Sequence, residues 1–420
     1  MGITSRSAAY DILLNIVNNK AFSNIEISNT LSKISLSEQD KSLCHAIVIT
    51  ALEKLNTLDY VIDLYVKSKP DSKTKIFLYI GITQILFLDK IPDNSACDET
   101  IKAAKEVIDQ VRCGFVNGVL RNICRNKAFI YKNIENSEES IKYSLDNSIV
   151  NLIKKQYPNE YTEIFKSFAN PLPMCLTVNR LKTSLEEVCE KLNNIKVEFF
   201  IHEGIINITK GTAEVLKFID DGLYYIQGSA SQYAASLLEC RENDFLIDTC
   251  ACPGGKSLYS AIQMNNTGEI LALDINENKL KLIQKSAKKL GTNIIKTQKN
   301  DSRKVLEKYI GKADKVICDV PCSGLGVINS KPEIRYKNFD DIENLITTQR
   351  NILTASASYL KQGGILVYST CTINKNENED NINYFLNNNK EFVLEYQKTF
   401  LPNRDNTEGF YVAKMRKNTE

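Results

Sequence analysis

From Asp244 onward, short apolar runs alternate with helix-length amphipathic stretches, and no other feature of this 420-residue chain restricts its fold as strongly. The runs Phe245–Asp248, Glu269–Asp274, 293–297, 315–319 and 364–368 read as strands. A helix between successive strands rules out hairpin pairing, so the pattern predicts a doubly wound α/β domain with a mostly parallel sheet. Such sheets bind ligands outside the carboxyl ends of their strands. The residues that follow each run are therefore where chemistry is expected.

The chain is too long for one ordinary core. Its first 130 or so residues read as all-helical, with Ala9, Ile12, Leu13, Ile16 and Val17 on one face behind a cap at Thr4 or Ser5. Ser37 with Asp40 resembles a capping box ahead of Leu43, Ile47, Ala51 and Leu55. The apolar run 76–88 is too short for a membrane span and reads as a buried helix. A break at Ile91-Pro92-Asp93 precedes a helix from about Ser95, and a last helix covers 115–124. Arg112, Arg121, Arg125 and Lys127 lie in or near it, as either a solvated face or an RNA-facing patch. Helical stretches at 139–156 and 160–168 then lead to a hinge at Pro171-Leu172-Pro173. Strands near 175–179, 197–201, 205–208 and 222–227, with a helix over 184–192, make a small α+β module, and a helix over 229–238 leads onward.

Composition sets the surroundings. With 43% hydrophobic and 25% charged residues the chain reads as soluble and globular. The N-terminus has no apolar signal core, and Arg6 breaks a myristoylation pattern, so a cytoplasmic location is expected. A net charge of +2 neither requires nor excludes nucleic acid, which would need a local basic patch. The twelve cysteines are scattered without a C-x-x-C pair, as in a reducing compartment. The segment 374–378 is locally Asn-rich.

The strand ends carry the informative residues. The first runs into Cys250-Ala251-Cys252-Pro253-Gly254-Gly255-Lys256 and then a helix, a turn whose glycines let a ligand approach the backbone. Asp274 closes the second strand, placed to accept from ribose hydroxyls, and Asp301 follows the third. The spacing around Lys256 is not that of a phosphate-binding P-loop, and the combination of turn and two acids favours an adenosyl cofactor. The fourth strand leads into Asp319-Val320-Pro321-Cys322-Ser323-Gly324 and the fifth into Tyr368-Ser369-Thr370-Cys371-Thr372.

Two cysteines at two such strand ends suit methylation at carbon 5 of a pyrimidine. Carbon 5 is a poor nucleophile until a thiolate adds at carbon 6, which is covalent catalysis. A free thiol of pKa about 8.5 is only slightly ionised at neutral pH, so the site must favour thiolate, with Lys256 or the cofactor's sulfonium as candidate neighbours. Asp319, protonated or sharing a proton with N3 of the base, would stabilise charge developing in the ring. A metal cluster of Cys250, Cys252, Cys318, Cys322 and Cys371 is disfavoured: the spacings match no common zinc pattern, and His45 and His202 are the only histidines. No metal is expected.

These motifs resemble the RsmB/Sun-type methyltransferases of small-subunit ribosomal RNA, within the RNA 5-methylcytosine family, and the resemblance covers essentially the whole chain. Pro332-Glu333-Ile334, Gln349-Arg350, Gly363-Gly364, Glu377-Asn378-Glu379 and Gly409-Phe410 match as well. The N-terminal region resembles the RNA-binding helical fold of NusB, through Leu58-Asp59, Phe115-Val116-Asn117 and Leu120-Arg121. The resemblance implies a NusB-like domain over 1–130, a small α+β linker domain over 137–240 and a Rossmann-like methyltransferase domain over 241–420. It implies S-adenosylmethionine as cofactor, held by Cys250 to Lys256, Asp274, Asp301 and Asp319. It implies Cys371 as nucleophile, Cys322 as the residue assisting release, and Asp319 in contact with cytosine. The implied partner of this monomeric enzyme is 16S ribosomal RNA, free or in early assembly, with no membrane. Thr177, Gly228 and Glu53-Lys54 depart from the usual family residues and bear on RNA docking. A transfer RNA methyltransferase and a non-catalytic RNA-binding protein are the rival readings, the second opposed by the intact Cys322 and Cys371.

Overall fold

The computed structural model describes residues 3–19, 23–340 and 342–419. The chain divides into two compact units. One holds the residues up to Tyr161 together with Ser330–Asp340, and the other holds Thr162–Asn329 with the remaining C-terminal chain.

The first unit is helical. Its centre is the helix Ser72–Phe87, buried on nearly every side, as the apolar run 76–88 predicts. Tyr10 of the helix Ser5–Asn19 stacks on Phe77 with ring centroids 4.5 Å apart. Gly81 lets the helix Gln110–Arg125 approach closely, since a Cβ there would lie 2.4 Å from Leu120 Cδ1. Side-chain caps fix the starts of several of its helices. Ser37 accepts from Asp40 N–H, Asp71 from Lys73 and Thr74, and Asp109 from Arg112. Asp109 explains why the helix foreseen at 115–124 starts earlier, at Gln110, and the helix foreseen from Ser95 likewise begins at Asp93.

The stretch 139–156 is not one helix. It breaks into Glu139–Lys142 and Asn147–Gln156. Between them Ser144 takes a φ of +53°, accepts from Asn56 N–H at 3.0 Å and meets the Tyr336 hydroxyl at 2.9 Å. Tertiary hydrogen bonds at Ser144 outweigh continuation of the helix, and Asp146 then caps a new one.

Tyr336 belongs to Ser330–Asp340, which is distant in sequence yet folds with this unit. Its hydroxyl donates to Leu52 O at 2.7 Å and accepts from Leu55 N–H at 2.9 Å, and Arg335 O accepts from Asp146 N–H at 2.7 Å.

The second unit contains two sheets. The smaller has β1 (Met174–Val178), β2 (Glu198–His202), β3 (Ile205–Lys210) and β4 (Tyr224–Ile226) in the order β2-β3-β1-β4, all antiparallel. The larger has β5 (Phe245–Asp248), β6 (Glu269–Asp274), β7 (Ile295–Lys299), β8 (Ala313–Asp319), β9 (Leu360–Thr370), β10 (Phe392–Phe400) and β11 (Phe410–Lys417). Its order is β10-β11-β9-β8-β5-β6-β7. Strands β5 to β9 run parallel, as the strand–helix alternation predicts, and β10 and β11 add an antiparallel pair at one edge.

Alternate residues of each central strand serve the two faces. Ile247, Val316, Cys318, Leu366 and Tyr368 pack with the helices Glu343–Ala357 and Glu379–Asn388. Leu246, Ile317, Ile365 and Val367 pack with Ser229–Ser236 and Gly255–Gln263. The small sheet is tied to the large one by Asn179, whose side chain donates to Gly222 O and Leu290 O, both at 2.8 Å.

The helix caps give a test of the first unit. Replacing Asp71 by Ala removes the acceptor of two backbone N–H groups and of the Thr74 hydroxyl. Urea unfolding should show a loss of about 1–2 kcal/mol. An unchanged midpoint and slope would contradict the capping role.

Candidate active site

Every strand-end residue singled out from the sequence lies at the carboxyl edge of the parallel strands. Cys250 to Lys256 form the turn from β5 into the helix Gly255–Gln263. The Cys252–Pro253 bond is cis, and Gly254 takes a φ of +109° that favours glycine. A Cβ on Gly254 would sit 3.1 Å from Ile283 Cγ1, and one on Gly255 would sit 3.3 Å from Gln227. The turn therefore passes through a space that only bare backbone fits comfortably. Tyr225, from β4, donates its hydroxyl to Gln227 at 3.1 Å and to Gly255 O at 3.4 Å, so the small sheet braces the turn.

At the foot of the turn, Asp248 is fully buried. One of its oxygens accepts from Ser257 at 2.7 Å, and Oδ1 has no partner among the described residues. Asp274, half-buried at the end of β6, accepts from Asn276 N–H at 2.8 Å and from the Cys252 thiol. Asp301, after β7, is gripped by Arg303 through Nε at 2.9 Å and Nη2 at 2.7 Å. That grip holds its carboxyl down at about 2.

Lys256 and Asp319 are brought together. The Lys256 ammonium, nearly buried, donates to Asp319 Oδ2 at 2.6 Å, and the Ser369 hydroxyl donates to Oδ1 at 2.7 Å. Asp319 therefore sits as an ion-paired acceptor. Lys256 is engaged by this carboxylate and by the face of the Phe410 ring, 5.5 Å from its centroid.

Cys322 and Cys371 are also brought together, with their sulfurs 3.1 Å apart, no disulfide between them and both residues half-buried. The Cys322 thiol is pushed well up, first by its hydrogen bond with Cys371 and then by burial. The other cysteines of the region are the half-buried Cys250 and Cys252 and the buried Cys318. Burial, reinforced by neighbouring carboxylates, pushes Cys250 up, and burial with the Asp274 contact pushes Cys252 up to about 12. Cys318 is fully buried and directed at Val367 O.

The sequence reading gave no role to the polar side chains behind the two thiols. Glu377, Gln349, Asn378 and Asn381 are all fully buried there. The locally Asn-rich segment 374–378 is part of this interior network, with Asn374 donating to Glu377 Oε1 at 3.0 Å. The available signal was the pair of motif matches at Gln349 and Glu377, which carried no geometry.

Comparison with known proteins places the chain in a family. Residues 235–416 match the 16S rRNA methyltransferase RsmB/F family model, residues 3–125 the NusB family, and residues 147–208 the ferredoxin-like domain of RsmF/B-like methyltransferases. The probable ribosomal RNA small subunit methyltransferase B of Bacillus subtilis is 30% identical, over 98% of each chain. The chain belongs to the RsmB/F family of rRNA methyltransferases. The probable ribosomal RNA small subunit methyltransferase B of Synechocystis is 28% identical over 99% of this chain and 100% of its own. The crystal structure of PH0851 is 26% identical and superposes with a TM-score of 0.83, covering 99% of this chain and 100% of that one.

The departures from the usual family residues have local partners. Thr177 is buried and donates to Gln227 Oε1 at 3.2 Å. At Gly228 a Cβ would lie 2.0 Å from Glu408 Oε1, so the Glu408 side chain occupies the space that a larger residue would need. Glu53 and Lys54 lie beside the buried Arg335, whose charge opposes the rise that burial imposes on Glu53. The cationic cluster of the helical unit is largely ion-paired: Arg112 with Asp109, Arg121 with Asp98, and Lys127 with Asp93. Among the described residues, no helix is long and apolar enough to cross a membrane.

Asp248 makes a pH prediction. Burial pushes its carboxyl up to about 7, against the opposing Ser257 hydrogen bond and Lys256 charge. In the unfolded chain an Asp ionises near 4. Between about pH 4 and 7 the unfolded chain releases a proton that the folded one keeps, so the folded state loses stability as pH rises through that window. The variant Asp248→Asn keeps an acceptor for Ser257 and removes the titration. Its unfolding free energy relative to the parent should therefore rise from roughly pH 4.5 to 7.5. A flat or falling difference in urea melts would contradict this.

Proposed function

We propose that the protein methylates carbon 5 of a cytosine in 16S ribosomal RNA, with Cys371 as nucleophile and Cys322 assisting release. The contact that carries this reading is the 3.1 Å approach of the two sulfurs beside Asp319, at the ligand-binding edge of the sheet. The division into a NusB-like domain over 1–130, a linker domain over 137–240 and a methyltransferase domain over 241–420 belongs to the same proposal, as does free or early-assembly ribosomal RNA as substrate.

The residues at the β5 turn fit an adenosyl cofactor. Backbone without Cβ atoms at Gly254 and Gly255 admits close approach, Asp274 faces the ribose position of such folds, and the unpartnered Asp248 Oδ1 leaves an acceptor at the base. Cys250, Ala251, Cys252, Pro253 and Lys256 complete the turn, and Asp301 and Asp319 close its sides. S-adenosylmethionine bound there supplies the methyl group that carbon 5 takes.

The chain's own residues account for the rest. The Cys322 thiol, whose ionisation is opposed by its hydrogen bond with Cys371 and by burial, can donate to a Cys371 thiolate across the 3.1 Å contact. The Cys371 sulfur forms a bond to carbon 6, and the electrons of the carbon 5–carbon 6 double bond move toward carbon 5. Each Asp319 oxygen accepts from one side chain, Lys256 or Ser369, and its remaining lone pairs can take the exocyclic amine of cytosine. After methylation water accepts the carbon 5 proton, the electrons of that carbon–hydrogen bond reform the double bond, and the carbon 6–sulfur bond breaks with its electrons returning to the Cys371 sulfur. Cys322 donates its hydrogen bond to the departing sulfur, which lowers the barrier to that elimination.

The test uses labelled cofactor with ribosomal and transfer RNA. Label should enter 16S ribosomal RNA as 5-methylcytosine and should disappear with Cys371→Ala. The variant Cys322→Ala should accumulate a protein–RNA adduct that survives a denaturing gel. Label in transfer RNA alone, or an adduct with Cys371→Ala and none with Cys322→Ala, would contradict the substrate or the assignment respectively.

A further inference from the structure

Glu377 is a buried carboxylate held by three neutral N–H donors. Its Oε2 accepts from Ser323 N–H and from the Gln349 side chain, both at 2.8 Å, and its Oε1 accepts from Asn374 at 3.0 Å. Removing a carboxylate from water is expensive unless its lone pairs are met, so such a group is tightly specified wherever it occurs. Here the donors come from three separate pieces of chain: the residue after Cys322, the helix Glu343–Ala357, and the loop after Cys371.

The connections are asymmetric. The Cys322 loop depends on Glu377 and Gln349. Ser323 N–H is held by Glu377, and Pro321 O accepts from the same Gln349 amide at 3.0 Å. The Cys371 loop has its own anchor, because Asn378 accepts from the Thr370 hydroxyl at 2.6 Å and donates to Thr372 O at 3.0 Å. A bridge between the Ser323 and Thr372 hydroxyls, 2.7 Å apart, joins the two loops.

We propose that Glu377 is a positioning residue that locks the Cys322 loop against the Cys371 loop and so serves the release step of the reaction. This rests on the cysteine roles given under the proposed function. Without Glu377 the Cys371 loop keeps its Asn378 anchor and the sheet pairing of β9, so addition to carbon 6 persists. The Cys322 loop loses its hold on Ser323, and the departing sulfur loses its aligned donor.

The variant Glu377→Gln tests this. Its amide replaces one acceptor oxygen by a donor, which must face either Ser323 N–H and Gln349 or Asn374, so at least one hydrogen bond fails. Three readouts are compared among the parent, Glu377→Gln, Glu377→Asp and Cys322→Ala: binding of S-adenosylhomocysteine, turnover, and covalent RNA adduct on a denaturing gel. Glu377→Gln should bind S-adenosylhomocysteine like the parent, turn over about 10²-fold more slowly and accumulate adduct, as Cys322→Ala does. Glu377→Asp, which keeps the charge but shortens the reach, should lie between the parent and Glu377→Gln. Parent-like turnover without adduct overturns the proposal, as does loss of adduct with S-adenosylhomocysteine binding intact. If Glu377→Gln fails to bind S-adenosylhomocysteine, Gln349→Met is read by the same criteria. If Cys322→Ala itself traps no adduct, the cysteine roles and this proposal fall together.

Discussion

The parallel register of β8 and β9, which pairs Asp319 with Ser369, governs the chemistry available to this molecule. It ends two strands side by side, so the loops that follow emerge together and their cysteines meet. Neither thiol alone distinguishes itself from the other ten cysteines of the chain, five of which are buried and five half-buried. What sets the pair apart is that each sulfur has the other as its hydrogen-bonding neighbour, 3.1 Å away.

Around that pair the site is built in layers. Lys256, from the β5 turn, reaches Asp319 at the end of β8, so the turn proposed to hold the cofactor and the carboxylate proposed to meet the base are one electrostatic unit. Partial burial makes such a pair stronger than a surface salt bridge and makes the loss of either partner more damaging. Behind it, Gly326 donates its N–H to Cys371 O at 3.0 Å and accepts from Gly409 N–H at 2.8 Å. A Cβ on Gly326 would lie 1.6 Å from Gly409 O, so the backbone itself fills the space. The rigidity needed to keep two sulfurs in register comes from this close packing and from the polar interior centred on Glu377.

Much of this was legible in the sequence, and the misses share a cause. The parallel strands, the glycine turn and the two cysteine loops follow from local pattern, because period and turn chemistry are local properties. The β10–β11 pair went unread: Phe392–Phe400 and Phe410–Lys417 are mixed in polarity, and their pairing with β9 is non-local. The break at Ser144 is set by Asn56 and Tyr336, which no local window contains. The role of the Asn-rich segment 374–378 went unread for the same reason. Asparagine is a loop residue by composition, and here Asn374 and Asn378 satisfy buried partners supplied from distant segments. Ion pairing of Asp319 with Lys256 was likewise invisible, since each was read at its own strand end.

The account turns on which sulfur bonds to the base. Ribosomal RNA carrying 5-fluorocytidine cannot lose a proton from carbon 5, so the adduct cannot resolve after methyl transfer. Peptide mass spectrometry of the trapped complex, formed with the unaltered protein and cofactor, then identifies the attached residue. Attachment at the peptide containing Cys371 is the predicted result. Attachment at Cys322, or no covalent complex with fluorinated RNA, would contradict the account.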